Sequence, residues 1–228
     1  MSPRRSTRLS PSVEDYLKAV YALTERGEPA STSALAEALD IQPASVTGMI
    51  KRLDESGFLE HVPYRGVRLT EVGSREALRI IRRHRVLETY LVDRLGYSWD
   101  DVHHEAERLE HAASEELIDH MAAALEEPSH DPHGAPIPTR AGEIEHTDFA
   151  SLADAPADAT VEIKAVQDED SELLRYMETL GLRPGVRVTV LTRAPFSGPI
   201  TVAVEGREAR SEVIGLDLAR RIFVSPSA

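Results

Sequence analysis

Two short apolar periods joined by a tight turn, and followed at once by a Pro/Gly-centred hairpin, constrain this chain more than any other feature. Between Val13 and Arg26 the residues Val13, Leu17, Val20, Tyr21 and Leu23 recur at helical spacing. A second helix opens near Ser31–Ser33, where a hydroxyl can cap free N–H groups, and runs through Leu35, Ala36 and Leu39. Ile41-Gln42 makes the turn. A third helix starts at Pro43, a residue favoured in a first helical turn, and continues through Val46, Ile50 and Leu53 to Gly57. Then come Phe58–Val62, Pro63-Tyr64-Arg65-Gly66 and Val67-Arg68-Leu69, two β runs around a turn. A helix-turn-helix with a hairpin directly behind it reads as a winged helix.

Downstream the texture is helical, then β. Thr70 caps a long helix to about Leu95, with Gly96 as its stop. Ser98 is read as the cap of the next helix, with Asp100 and Asp101 in its first turn. Ser114 begins a further helix, ended by Pro128. Residues 128–160, rich in Pro, Ala and Asp, read as a connector. After Val161 there are short β runs at 161–166, 186–192 and 200–204, interrupted by one helix at about 171–180, and a small β-barrel is the natural closure. The fold class expected is α+β. The division expected is 1–75 for DNA binding, 76–140 helical, 141–160 linker and 161–228 β-barrel. No apolar run reaches the ~18 residues of a membrane helix. No apolar segment follows the basic N-terminus to make a signal peptide, so a cytoplasmic protein without membrane contact is expected.

The formal net charge of −13 at first opposes DNA as a partner, but its distribution does not. Residues 1–95 carry a net +2 and residues 96–228 a net −15, so a phosphate backbone can approach only the N-terminal part. In a helix-turn-helix the second helix enters the major groove N-terminus first. The candidate DNA contacts are therefore Gln42, Pro43, Ala44, Ser45 and Thr47 at base edges. Lys51, Arg52 and the wing's Arg65 are candidates for phosphates. Arginine outnumbers lysine 23 to 3, and an acidic, lysine-poor surface also suits a high-salt cytoplasm.

The chain has no cysteine, which excludes disulfides, thiolate zinc sites and cysteine nucleophiles. His84 and Glu88 stand at i, i+4 on one helix; His103, Glu107, Glu110 and His111 share one face of the next. Two antiparallel helices could direct these six groups at each other, burial of so many would be costly without a cation, and His/Asp/Glu donors suit divalent manganese, iron, cobalt, nickel or zinc. His104, Glu105, His120 and His130 read as solvated. No H-E-x-x-H and no locally supported Ser/His/Asp pattern is present, so an enzyme is not expected.

Asp15-Tyr16-Leu17, Arg83-His84-Arg85…Glu88, His103…Glu107-Arg108-Leu109-Glu110-His111 and His133-Gly134-Ala135-Pro136-Ile137-Pro138 together resemble the diphtheria toxin repressor family of iron- and manganese-dependent regulators. The resemblance covers nearly the whole chain. It implies a winged-helix domain, a helical dimerisation domain carrying metal sites, and a C-terminal SH3-like domain like that of small ferrous-transport accessory proteins. Carried over by position, it implies a primary site of Asp15, Glu107, Glu110 and His111. It implies a second site of His84, Glu88 and His103, completed by Asp170 or Glu172 of the SH3-like domain. In manganese-type members the counterpart of His84 also bridges toward the primary site.

Iron-type members use Met and Cys where this chain has Asp15 and Glu107, so the oxygen donors point to Mn²⁺. Two features dilute that inference without reversing it: Lys18 stands where the manganese-type binuclear site has a glutamate, and an SH3-like domain is more typical of iron-type members. The function expected is a homodimeric repressor of metal-homeostasis genes that binds a double-stranded operator with Mn²⁺ or Fe²⁺ as corepressor. The alternative is a winged-helix regulator whose metal is purely structural.

Overall fold

In the computed structural model, which describes residues 9–25, 27–167, 170–207 and 211–226, the first apolar period becomes helix α1 (Pro11–Thr24). The expected end of that helix at Arg26 lies outside the described residues. Helix α2 (Thr32–Ala38) is capped by the Ser31 hydroxyl, which accepts from the Ala34 N–H at 3.1 Å. Helix α3 (Pro43–Glu55) follows with proline in its first turn. Strands β1 (Leu59–Val62) and β2 (Gly66–Leu69) form the antiparallel wing, with Leu59 opposite Leu69 and Val62 opposite Gly66. Ala30 pairs with Val67 and ties the loop before α2 to the wing. The core beneath is Val13, Leu17, Val20, Leu35, Val46, Ile50, Leu53, Leu59 and Val67, the residues whose spacing predicts these elements.

Helix α4 (Glu71–Leu95) begins beside Thr70, whose hydroxyl accepts from the Gly73 N–H at 3.1 Å. Helix α5 (Val102–Glu110) starts later than Ser98 predicts. The N–H groups of Asp101 and Val102 both donate to the Ser98 carbonyl, and Trp99 is buried in a second core. Residues 99–101 form a turn ahead of the helix. Helix α6 (Glu115–Ala124) is capped by the Ser114 hydroxyl, as expected, and stops before Pro128.

The C-terminal part is one antiparallel sheet. Its strands are β3 (Ala150–Ser151), β4 (Thr160–Val166), β5 (Arg187–Arg193), β6 (Ile200–Val204), β7 (Ser211–Ile214) and β8 (Ile222–Pro226), in the order β3-β8-β4-β5-β6-β7. Helices α7 (Ser171–Leu180) and α8 (Leu216–Ala219) accompany it. Leu152, Ile163, Leu174, Met177, Val190, Ile200, Val202 and Ile222 fill its core. Strands β3, β7 and β8 escape the periodicity reading because each is two to five residues long and carries little alternation of its own. Strand β8 gains its place by pairing with β4, about sixty residues earlier in the chain.

Internal packing divides the chain into two compact units. The first is Met1–His84 with Glu110–Ala113 and Pro138–Ile144; the second is Arg85–Leu109, Ser114–Ile137 and Glu145–Ala228. The division passes through α4 and α5. In the second unit, the His133 carbonyl accepts from the Val166 N–H at 2.9 Å, which docks the His-Gly-x-Pro-Ile-Pro segment on the end of β4. Gly134 has φ +85, and a Cβ there would drive into the Lys164 carbonyl, so only glycine serves. No described helix is long and apolar enough to cross a membrane.

Candidate metal centre and nucleic-acid interface

Within the first unit, α1 and the end of α5 bring seven ionisable side chains together. Glu14, Asp15 and Lys18 lie within five residues on α1; Arg83 and His84 come from α4; Glu110 closes α5 and His111 follows it. Glu110 is fully buried, and its two carboxylate oxygens are served separately. Oε1 accepts from Lys18 Nζ at 2.7 Å, and Oε2 lies 2.6 Å from His84 Nδ1. Burial pushes the Glu110 carboxyl up, but the His84 hydrogen bond and the charges of Lys18 and His84 outweigh it and hold it below the ordinary value. His111 lies with Nδ1 2.7 Å from Glu14 Oε2 and Nε2 3.0 Å from Asp15 Oδ1. The other Glu14 oxygen accepts from Arg83 at 2.6 Å.

Asp15, Glu110 and His111 each offer a ligand atom within 4.8 Å of the others. Two carboxylates and an imidazole suit Mn²⁺ or Fe²⁺. The residues present fit a divalent ion. Glu107, three residues before Glu110 on α5, is exposed and belongs to none of the metal-capable groups among the described residues. Sequence reasoning passed over Glu14 and Arg83. The signal available was Glu14 on the apolar arc of α1, among Val13, Tyr16 and Leu17: a carboxylate there needs a buried partner.

In the second unit, His103 Nδ1 is 3.1 Å from Glu88 Oε1; His84, one turn before Glu88 on α4, falls in the first unit. Glu88, Asp131 and His133, all buried, form a further group with ligand atoms within 4.8 Å. Asp131 Oδ1 accepts from the N–H groups of His133 and Ala135, both at 2.9 Å, and Arg85 approaches its other oxygen at 3.4 Å. His133 Nε2 is 2.6 Å from the Trp99 carbonyl, which can only accept; Nε2 therefore carries a proton and Nδ1 faces Glu88 Oε2 at 3.9 Å. Asp131 and His133 in this role were invisible to helix-face spacing, because they lie on an irregular segment. Asp170 caps α7, accepting from the Glu172 and Leu173 N–H groups at 2.9 and 3.1 Å, and the Glu172 side chain is exposed.

On the winged helix, Gln42, Pro43, Ala44, Ser45, Thr47, Lys51 and Arg52 are all exposed along α3, while Val46, Ile50 and Leu53 point inward. Thr47 donates to the Pro43 carbonyl at 3.2 Å, Lys51 lies 3.9 Å from Glu55, and Arg65 is ion-paired with Glu28.

Three family models match the chain. Residues 8–67 match the iron dependent repressor N-terminal DNA binding domain, and 70–139 the iron dependent repressor metal binding and dimerisation domain. Residues 150–226 match the FeoA domain. The iron-dependent repressor IdeR of Mycobacterium tuberculosis is 32% identical over 212 residues, which is 86% of this chain and 90% of that protein. The HTH-type transcriptional regulator MntR of Oceanobacillus iheyensis is 38% identical over 112 residues, 49% of this chain and 76% of its own length. A solved manganese-dependent transcriptional repressor in complex with manganese superposes with a TM-score of 0.87 at 36% identity, over 94% of this chain and all of that one.

Proposed function

This chain belongs to the family of iron- and manganese-dependent transcription repressors, and on that premise we propose that it is a homodimeric repressor of metal-homeostasis genes with Mn²⁺ as preferred corepressor. The observation that carries the reading is Asp15. It lies on α1 of the DNA-binding domain, yet its carboxylate shares a group with Glu110 and His111. We place Asp15, Glu110 and His111 in the primary site, and retain Glu107, exposed on α5, as the fourth ligand that the family pattern implies. A bound divalent ion supplies the positive charge that holds these acceptors in one place. Asp15 anchors α1, and α1 carries the rest of the winged helix through Leu17 and Val20. Fixing Asp15 therefore fixes α3, and in a dimer two such helices meet successive major grooves.

Glu88 centres the second site. We place His84, Glu88 and His103 there, as the helix spacing indicates, together with Asp131 and His133, whose protonated Nε2 leaves Nδ1 directed at Glu88. Asp170, engaged as a helix cap, and Glu172 are the carboxylates of the β-sheet domain that can complete it. On the DNA face, Gln42, Pro43, Ala44, Ser45 and Thr47 meet base edges. Lys51, Arg52 and Arg65 meet phosphates, the last by exchanging Glu28 for the DNA backbone.

Mn²⁺ is favoured because Asp15 and Glu110 are hard oxygen donors and the chain has no cysteine to offer a thiolate. The test is an anaerobic titration of duplexes selected from a random pool, at fixed salt, with Mn²⁺, Fe²⁺, Co²⁺, Zn²⁺ or chelator. Reversible, metal-dependent binding at unchanged fold stability is expected, strongest with Mn²⁺. Equal binding in chelator overturns the corepressor role and leaves the metal purely structural; a stronger response to Fe²⁺ overturns the metal assignment alone.

A further inference from the structure

We propose that Glu14, itself outside the ligand set, is a positioning residue that decides which nitrogen of His111 is offered to the metal. The inference rests on the ligand set proposed above and concerns a residue that the set does not contain. The His111 ring has two differently furnished faces. Nε2 is the nitrogen that meets Asp15, at 3.0 Å, and Glu110, at 3.7 Å. Nδ1 meets Glu14 Oε2 at 2.7 Å. Carboxylate oxygens can only accept, so without metal both ring nitrogens are furnished with acceptors; a cation held by Asp15 and Glu110 takes the place of the proton on Nε2, while Glu14 keeps the proton on Nδ1.

Glu14 is held for this task. It is 3% exposed, and its remaining oxygen accepts from Arg83, itself 7% exposed, at 2.6 Å. Both ends of the carboxylate are thus occupied inside the protein, one by a guanidinium and one by the imidazole. A carboxylate behind a ligating histidine also raises the donor strength of the opposite ring nitrogen, an effect typically worth about 10–100-fold in metal affinity. Glu14 and Asp15 are consecutive on α1, so one turn of the DNA-binding domain grips His111 at both nitrogens. A shift of α1 must therefore disturb the ring as well as the Asp15 ligand. Metal affinity and the seating of α1 are then linked through two residues rather than one.

The test uses the full chain with ¹⁵N-labelled histidine, loaded with diamagnetic Zn²⁺, together with Mn²⁺ titrations of Glu14→Leu and Glu14→Gln. Long-range ¹H–¹⁵N spectra of the wild type should show His111 protonated at Nδ1 and metal-bound at Nε2. Glu14→Leu should lose that single arrangement and bind Mn²⁺ about 10–100-fold more weakly. Glu14→Gln, whose amide oxygen still accepts from Nδ1–H, should keep the arrangement and lose less. Metal at Nδ1 in the wild type, or wild-type affinity in Glu14→Leu, overturns the role of Glu14 alone. Zn²⁺ uptake that leaves His111 unmoved overturns the ligand set and the role of Glu14 with it. The wild-type spectrum decides the matter even where Glu14→Leu does not fold.

Discussion

Replacing Lys18 by methionine separates the charge that the chain supplies to Glu110 from the charge that a metal supplies. The ammonium donates to Glu110 Oε1 at 2.7 Å, with Glu110 fully buried and the lysine side chain 22% exposed. Methionine keeps most of the apolar stem and removes one charge-assisted hydrogen bond, worth about 1.5–3 kcal/mol. Glu110 retains His84 at 2.6 Å, so the loss stays near the middle of that range, at about 2 kcal/mol. For a chain of this size that lowers the Tm of the metal-free protein by roughly 4–8 °C. If a metal ion takes over the ammonium's share of Glu110, the variant binds Mn²⁺ up to about 30-fold more tightly, the same free energy read as affinity. Thermal denaturation with chelator and with saturating Mn²⁺ measures both halves of the cycle. An unchanged metal-free Tm would show that the pair contributes nothing, and a Tm gap that persists undiminished in Mn²⁺ would show that ammonium and metal do not compete for Glu110.

Three other perturbations test different links. Glu110 has its folded-state carboxyl held below the ordinary value of 4.5, so its contribution to stability is present above that value and lost as the pH falls through the lower folded one. Urea midpoints of the metal-free chain should therefore drop in that acid range, and Glu110→Gln should flatten the dependence. Gly48 sits inside α3, flanked on the exposed side by Ser45, Lys51 and Arg52, and an added methyl would meet nothing within 4 Å. Gly48→Ala should stabilise the fold by about 0.5–1 kcal/mol yet weaken binding to selected duplexes, because the methyl stands where DNA approaches; higher Tm with unchanged DNA affinity would refute that placement. Gly134→Ala should cost about 2–4 kcal/mol, from a left-handed backbone and the clash with the Lys164 carbonyl. It should also change the emission of Trp99, the single tryptophan, whose ring lies 5.6 Å from that of His133; wild-type stability and emission would rule the docking out.

Legibility differed by element for physical reasons. The winged helix could be read because its core residues recur within one or two helical turns and its caps are local: Ser31, Pro43 and Thr70 act within three residues of themselves. Helix α5 starts at Val102 rather than directly after Ser98, with a turn over residues 99–101 and the Ser98 carbonyl accepting from the N–H groups of Asp101 and Val102. Helix-face spacing put Glu107, Glu110 and His111 in one stripe, but only packing shows Glu110 buried and Glu107 exposed. Asp131 and His133 belong to no periodic element, so nothing in their spacing aimed them at Glu88.

The winged helix-turn-helix, the α+β class and the pairing of a DNA-binding half with a run of His, Asp and Glu follow from the sequence by itself, because periodicity, capping and residue chemistry are local properties. Which side chains meet was left to the tertiary structure. Lys18 on Glu110, Glu14 behind His111 and His133 turned toward Glu88 are contacts across 92, 97 and 45 positions of the chain. Distances of that kind are decided when separate elements bury their apolar faces together and every ionisable group caught between them must find a partner.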